Sequence, residues 1–199
     1  MRRKPRVFQC RLGFLMICMA LFALALAPVV SRYHRSWRQQ RVISLLESRG
    51  ARVRMMVGSF TPAVADTCHL RGGSGGHRWT DDDVFLIAQL TTLSELLAHD
   101  TQITDKGVSD LVALRKLRTL DLRRTPITDQ SAQYLAALPE LEILHLDESD
   151  VTDRTLEQLR ELGKLSWVTL DGTRVTCAGI RRFKAAHQNE GLVVSHDAD

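Results

Sequence analysis

The fold this sequence predicts is an α/β solenoid, a stack of short strand-and-helix units. Two observations carry the prediction. One phrase returns four times at an interval of 24 residues: Ile103-Thr104-Asp105, Ile127-Thr128-Asp129, Val151-Thr152-Asp153 and Val175-Thr176-Cys177. Apolar residues hold the same phase, in the series Leu93, Leu117, Leu141, Leu165, the series Leu96, Leu120, Leu144, Val168, and the series Ala98, Leu122, Leu146, Leu170. A unit this small cannot bury its own hydrophobic face, so each copy must stack on the next. Such a repeat sets the fold and narrows the function to binding.

Within each copy the L-x-L stretch alternates with period two, as a half-buried strand does, and the segment after the phrase carries apolar residues at helical spacing. In the second unit these are Ala132, Leu135 and Leu138, and in the third Leu156, Leu159 and Leu162. Thr104, Thr128, Thr152 and Thr176 stand where N-caps belong, and the Asp that follows three of them suits the positive end of a helix. The recurring phrase is therefore helix-start chemistry and not catalytic. Between strand and phrase lies Thr101, Thr125, Ser149 or Thr173, a hydroxyl able to bond the turning backbone.

The copies resemble leucine-rich repeats, closest to the subtype running L-x-x-L-x-L-x-x-C-x-x-I-T-D, with Thr or Ser in the Cys slot. The resemblance covers residues 69 to 194. It implies a short arc with a parallel β-sheet on the concave side and helices on the convex side. Short bacterial proteins with a membrane anchor and a few such repeats look similar.

The array is degenerate at its ends. Trp79-Thr80-Asp81 precedes the first ITD phrase by 24 residues, and Val84, Ile87 and Leu90 repeat the helix face of Val108, Leu111 and Leu114. The strand of that first unit, over Thr67 to Arg71, comes several residues early, and Gly72-Gly73-Ser74-Gly75-Gly76 takes up the extra length. Leu192 and Val194 fall one period after Val168 and Leu170, which predicts a last strand with no helix behind it. Between Trp37 and Val57, a helix ending at Gly50 and an alternating strand, Val53, Met55, Val57, make a terminal cap.

Charge divides the chain into two objects. Residues 1 to 41 hold nine Lys or Arg and no acid, whereas the remainder holds 18 basic against 23 acidic residues, a net charge of −5. The basic character belongs to the tail, so the repeats should repel a phosphate backbone and no nucleic-acid partner is expected. Inside the tail the run from Leu12 to Val30 is apolar throughout, and its length of about 28 Å matches the hydrocarbon thickness of a bilayer. We expect a single-pass signal-anchor helix there. A cleaved secretory signal and a buried cytosolic helix are the alternatives, and Pro28 directly after Ala27 disfavours cleavage at that point. Five basic residues precede the run (Arg2, Arg3, Lys4, Arg6, Arg11) and four follow it (Arg32, Arg35, Arg38, Arg41), a bias that places the repeats outside the cytoplasm. The expected organisation is a basic tail over 1–11, a membrane helix over 12–30, a linker and cap over 31–68, repeats over 69–194 and a tail over 195–199.

Cys68 and Cys177 should lie about four strand spacings apart, near ~19 Å. A disulfide tolerates only about 7 Å between Cα atoms, so they are expected to stay unpaired with each other. With no C-x-x-C pair, zinc-knuckle and thioredoxin-like motifs are excluded. Cys177, in the slot of the Asp, is read as a small buried residue.

Three features point toward chemistry and fall short of it. Gly72-Gly73-Ser74-Gly75-Gly76 satisfies G-x-S-x-G, but a nucleophile elbow needs a strand running directly into a turn and a helix. Asp81, Asp82 and Asp83 read as first-turn residues compensating the helix dipole and not as calcium ligands. The third feature is the concave face. Residues alternating with the core leucines form three rows: Glu95, Thr119, Ile143, Trp167; Leu97, Asp121, His145, Thr169; and His99, Arg123, Asp147, Asp171. A His/Asp cluster around His145 could hold a metal, but one histidine without an enclosing pocket is a poor ligand set, and no metal, cofactor or small-molecule substrate is expected.

These twelve residues are the candidate protein-binding face, with Trp167 beside Ile143 as its anchor. The competing reading has the C-terminal strand covering Trp167. The expected function is that of a non-catalytic, membrane-tethered module binding an unknown protein partner. The alternative is a cytosolic adaptor similar to the F-box leucine-rich-repeat receptors of ubiquitin ligases, although no recognisable F-box precedes the repeats.

Overall fold

The structure, a computed structural model, describes residues 38–56, 64–70, 77–187, 189 and 191–197. The apolar run 12–30, its flanking residues up to 37 and the glycine insertion 72–76 lie outside these residues. No helix among the described residues is long and apolar enough to cross a membrane. The chain divides into a unit of residues 1–38 and a unit of residues 39–199.

Among the described residues seven strands form one sheet in chain order: β1 (Arg52–Met56), β2 (Val64–His69), β3 (Glu95–Leu97), β4 (Thr119–Asp121), β5 (Ile143–His145), β6 (Trp167–Thr169) and β7 (Val193–Ser195). The strands from β2 to β7 are parallel and stay in register, so that Leu96, Leu120, Leu144, Val168 and Val194 stand side by side. Each strand is short, but its pairing runs on past its end. Ala98 N–H donates to Asp121 O at 2.9 Å and Asp100 N–H to Arg123 O at 3.0 Å, and the next pairs of repeats copy this pattern.

One helix follows each strand from β2 to β6: α2 (Asp81–Ile87), α3 (Asp105–Leu111), α4 (Ala132–Leu135), α5 (Asp153–Leu159) and α6 (Cys177–Ala186). They are short because stacking, rather than intrinsic helicity, stabilises them. The second unit is the extreme case. A 3₁₀ turn over Asp129–Ser131 opens it and α4 has only four residues, so Leu138 reaches the core from beyond the helix end. The leucine series are wholly buried between sheet and helices. Truncating a central member such as Leu120 to Ala costs about 2–5 kcal/mol.

The threonines cap as expected. Thr104, Thr128 and Thr152 each accept the N–H two residues on at 3.3 Å, and Thr176 accepts Gly179 N–H at 3.0 Å. The aspartates do more than complement a dipole. Asp81 accepts Thr104 N–H at 2.8 Å and the Thr104 hydroxyl at 2.7 Å, one repeat further on. Asp105 does the same for Thr128, Asp129 for Thr152 and Asp153 for Thr176. The phrase is thus a ladder along the helix side of the stack: each Asp fixes the cap of its successor.

Cys177 occupies the last rung, and here the expectation of a small buried residue is wrong. The thiol is exposed. The Asp slot looks toward the next repeat, and among the described residues no capping threonine follows on which a side chain at 177 could close. Cys68 is buried in β2, and both cysteines are free. Burial pushes the Cys68 thiol up to about 12.

Glycine stands at two positions of the ladder where an added Cβ would meet the neighbouring carboxylate. A Cβ on Gly107 would stand 2.4 Å from Asp81 Oδ1, and one on Gly179 2.2 Å from Asp153 Oδ1. The two intervening repeats place Ser131 and Thr155 in this slot, and Thr155 turns the crowding into a bond by donating to Asp129 Oδ1 at 2.7 Å.

The N-terminal cap is a helix over 38–48, here α1, followed by β1. Val42, Ile43 and Leu46 are buried, as is Ala51 at the turn, and β1 pairs antiparallel with β2 through a bulge at Arg54/Met55. Val53 and Met55 pack partly buried against the core as their alternation predicts, while Val57 lies outside the described residues. Arg49 ion-pairs with Asp83, which also accepts His77 Nε2 and Thr80 N–H, each at 3.0 Å. Asp83 therefore ties cap to array, a role hidden in the three consecutive aspartates. The strand of the first unit begins at Val64 rather than Thr67 and runs across the expected 68/69 division, because pairing with β1 lengthens it. The last strand reaches Ser195, one residue past the expected end of the repeats.

Candidate binding face

Strand alternation sends one set of side chains toward the helices and the other to the opposite face. The parallel register then aligns that second set: Glu95, Thr119, Ile143 and Trp167 pair in sequence, as do Leu97, Asp121, His145 and Thr169. The third row, His99, Arg123, Asp147 and Asp171, lies beyond the strand ends and is aligned by the extended backbone ladder. The structure thus brings all twelve expected residues onto one face. It adds Val193 beside Trp167 and Ser195 beside Thr169, which the same alternation applied to Leu192 and Val194 would have placed outward.

The middle of the face is locked by polar bonds. Asp121 is 1% exposed and receives Arg123 through Nε at 2.9 Å and Nη2 at 2.7 Å, as well as the Arg123 backbone N–H at 3.1 Å. His99 Nδ1 approaches Asp121 Oδ2 at 3.4 Å. Burial raises the Asp121 carboxyl, yet the hydrogen bonds and charge of Arg123 outweigh it and hold the group below the usual carboxylate range. Beside it, the Thr169 hydroxyl donates to Asp147 Oδ2, so that its oxygen accepts from His145 Nδ1 at 3.0 Å. That relay leaves His145 Nε2 as an acceptor. Burial lowers the His145 pKa, and Arg123 adds to the fall against the opposing charges of Asp121 and Asp147.

The apolar part is open. Trp167 is 45% exposed and Val193 equally so, with Ile143 half-buried alongside, so β7 flanks Trp167 without covering it. At the other end of the strands His99, Arg123, Asp147 and Asp171 line a shallow cleft of about 430 Å³. Its rim carries a feature absent from the sequence pattern. Asp100, Arg124 and Glu148 have φ of 56°, 55° and 54°, and Gly172, one period on, has 67°. A left-handed residue costs roughly 1–2 kcal/mol without glycine. Here Arg124 bridges Glu148 at 2.9 Å and Asp100 at 3.6 Å along the same row. A single glycine in four copies is too weak a signal to reveal the turn. Among the described residues no group of three or more His, Cys, Asp or Glu is placed to hold a metal ion.

The in-register parallel ladder, the 24-residue step and the row of capped helices define the chain as a leucine-rich repeat solenoid. Among solved structures it is similar to an internalin from Listeria monocytogenes, at 23% identity over 58% of this chain and 31% of that one, with a TM-score of 0.48. Internalin C2 of the same organism is 26% identical over 57% of this chain and 46% of its own, with a TM-score of 0.47. The leucine-rich repeat ectodomain of the receptor kinase SOBIR1 from Arabidopsis thaliana is 18% identical over 80% of this chain and 91% of its own, with a TM-score of 0.52. The chain spans less than half of either internalin, and its likeness to the SOBIR1 ectodomain is one of fold. No family model and no curated protein matches the sequence.

Proposed function

We propose that this chain is a non-catalytic leucine-rich repeat module, tethered to a membrane by its segment 12–30, whose sheet face opposite the helices binds a protein partner outside the cytoplasm. The observation that carries the reading is the row Ile143, Trp167, Val193. A tryptophan left 45% exposed on a sheet, beside an equally exposed valine, keeps nearly half of its surface open to a partner. Next to it the polar residues are held in fixed orientations by Asp121 and the His145–Thr169–Asp147 relay. An apolar anchor within an ordered polar border is how interface hot spots are built. The tether is supported by the length and charge flanks of the apolar run.

Crosslinked partners should be captured by the wild-type chain and lost on replacing Trp167→Ala together with His145→Ala. Retention of the same partners by both proteins overturns the binding face. Fractionation tests the tether separately: recovery of the chain in the soluble cytosol removes it.

A further inference from the structure

The face is not uniform along its strands, and its asymmetry specifies what it takes. At the N-terminal ends of β5, β6 and β7 it presents Ile143, Trp167 and Val193. Beyond the C-terminal ends of β5, β6 and β7 it presents Asp147, Asp171 and Asp197. These carboxylates are oriented by donors: Asp147 Oδ1 accepts Asp171 N–H at 2.8 Å, Asp197 Oδ2 accepts Gly172 N–H at 2.8 Å, and the Ser195 hydroxyl reaches Asp171 Oδ2 at 3.4 Å.

Among the described residues no lysine or arginine is ion-paired with any of the three, whereas Asp121 engages Arg123 and His99. Arg123, the cation of this row, is committed to that pair. Burial, followed by the charges of Asp147 and Asp197, raises the Asp171 carboxyl even though His196 and Ser195 oppose them. These crowded acids are therefore without a directly paired lysine or arginine, and Arg123 acts on Asp147 only at longer range. His145 Nε2 between the two ends adds one more acceptor. The Thr169 and Ser195 hydroxyls and the Arg123 guanidinium are already engaged, so the polar groups left open on this half of the face are acceptors, and the occupant must bring donors and positive charge.

We propose that this half of the face binds an extended segment of a partner protein carrying a bulky apolar side chain and, four residues along, a lysine or arginine. The apolar side chain packs on Trp167 and Val193. The cation meets Asp171, flanked by Asp147 and Asp197. The spacing follows from the strand itself: residues 167 and 171 are four positions apart, about 13 Å, which an extended segment lying along β6 matches with four of its own residues. The inference rests on the reading of this face as a protein-binding surface.

The test is selection of a random twelve-residue peptide library on the full chain in detergent, followed by binding of the enriched peptides to the wild type, to Trp167→Ala and to Asp171→Asn with Asp197→Asn. The expected result is enrichment of an aromatic or aliphatic residue four positions from Lys or Arg. Affinity should fall about tenfold or more in either variant and decline as salt is raised. Val193→Ser replaces Trp167→Ala if the latter melts at a lower temperature than wild type. Peptides lacking the cation, or bound equally well by the aspartate variant, overturn the partner class while a loss in Trp167→Ala preserves the face. Peptides indifferent to all variants overturn the face as well, and absence of enrichment overturns the proposal.

Discussion

Asp129 is the most informative single perturbation, because it tests whether the repeats are joined by their caps as well as by their core. Its carboxylate accepts Thr152 N–H at 2.8 Å, the Thr152 hydroxyl at 2.7 Å and the Thr155 hydroxyl at 2.7 Å. Burial raises the carboxyl, but these bonds outweigh it and hold it below the ordinary value. A hydrogen bond to a charged group contributes about 1.5–3 kcal/mol when buried and less when partly solvated, as here. Asp129→Ala removes all three bonds and leaves the Thr152 N–H without its acceptor, so a loss of about 2–5 kcal/mol is expected. Asp129→Asn keeps one oxygen and turns the other position into a donor. The Thr155 and backbone bonds survive without their charge assistance, and the loss is about 1–2 kcal/mol.

For a chain of this size each kcal/mol lowers the melting temperature by about 2–4 °C. The expected order is therefore wild type, then Asn, then Ala, read by thermal circular dichroism, with the exposed Asp82→Ala within about 0.5 kcal/mol of wild type. Because a solenoid is held by nearest-neighbour interfaces, the alanine variant should also broaden the transition or split it. Equal melting of Asp129→Ala and wild type would refute the ladder as a stabilising device and leave it a by-product of helix capping.

Thr125→Val should cost about 1–3 kcal/mol in urea denaturation: the buried hydroxyl donates to Leu122 O at 2.6 Å, and the isosteric valine leaves that carbonyl unpaired. An unchanged midpoint would mean that the carbonyl finds another donor. Acid should destabilise the array. Asp83, Asp121, Asp129 and Asp153 all titrate below the ordinary value when folded, so their stabilisation is present above an unfolded pKa of about 3.9 and is lost as pH falls through the lowered folded values. Glu140, lowered by Lys164, adds to them and Asp171, raised, acts in the opposite sense, so that five carboxylates against one predict a lower urea midpoint at pH 3 than at pH 7. Equal midpoints would contradict this balance. Under native conditions a maleimide should modify Cys177 and spare Cys68 until the protein unfolds, as read by peptide mapping, since one thiol is exposed and the other buried. Early labelling of Cys68 would place β2 among the parts of the fold that open locally.

The candidate face was legible in the sequence to an unusual degree, because a fixed period converts a one-dimensional pattern into a register. Once Leu96, Leu120 and Leu144 are taken as one buried row, Ile143 and Trp167 must be neighbours on the other face, and no tertiary information is needed. The exposure of Trp167 was not legible, since it depends on whether β7 pairs edge to edge or folds over the indole. The left-handed residues at 100, 124 and 148 were equally hidden, because Asp, Arg and Glu give no local sign of positive φ.

By itself, then, the sequence determined the repeat length, the capped helices, the rows of the sheet and the segregation of positive charge into the tail. These are local or periodic properties, and stacking copies them from unit to unit. Tertiary structure decided what the same residues do between units. Asp105 and Asp129 hold the caps of their successors, Asp83 joins the N-terminal cap to the array, and Cys177 is left exposed at the last rung. The aspartate contacts each depend on a partner 23 or more positions away, and a repeat read alone contains only one half of the contact.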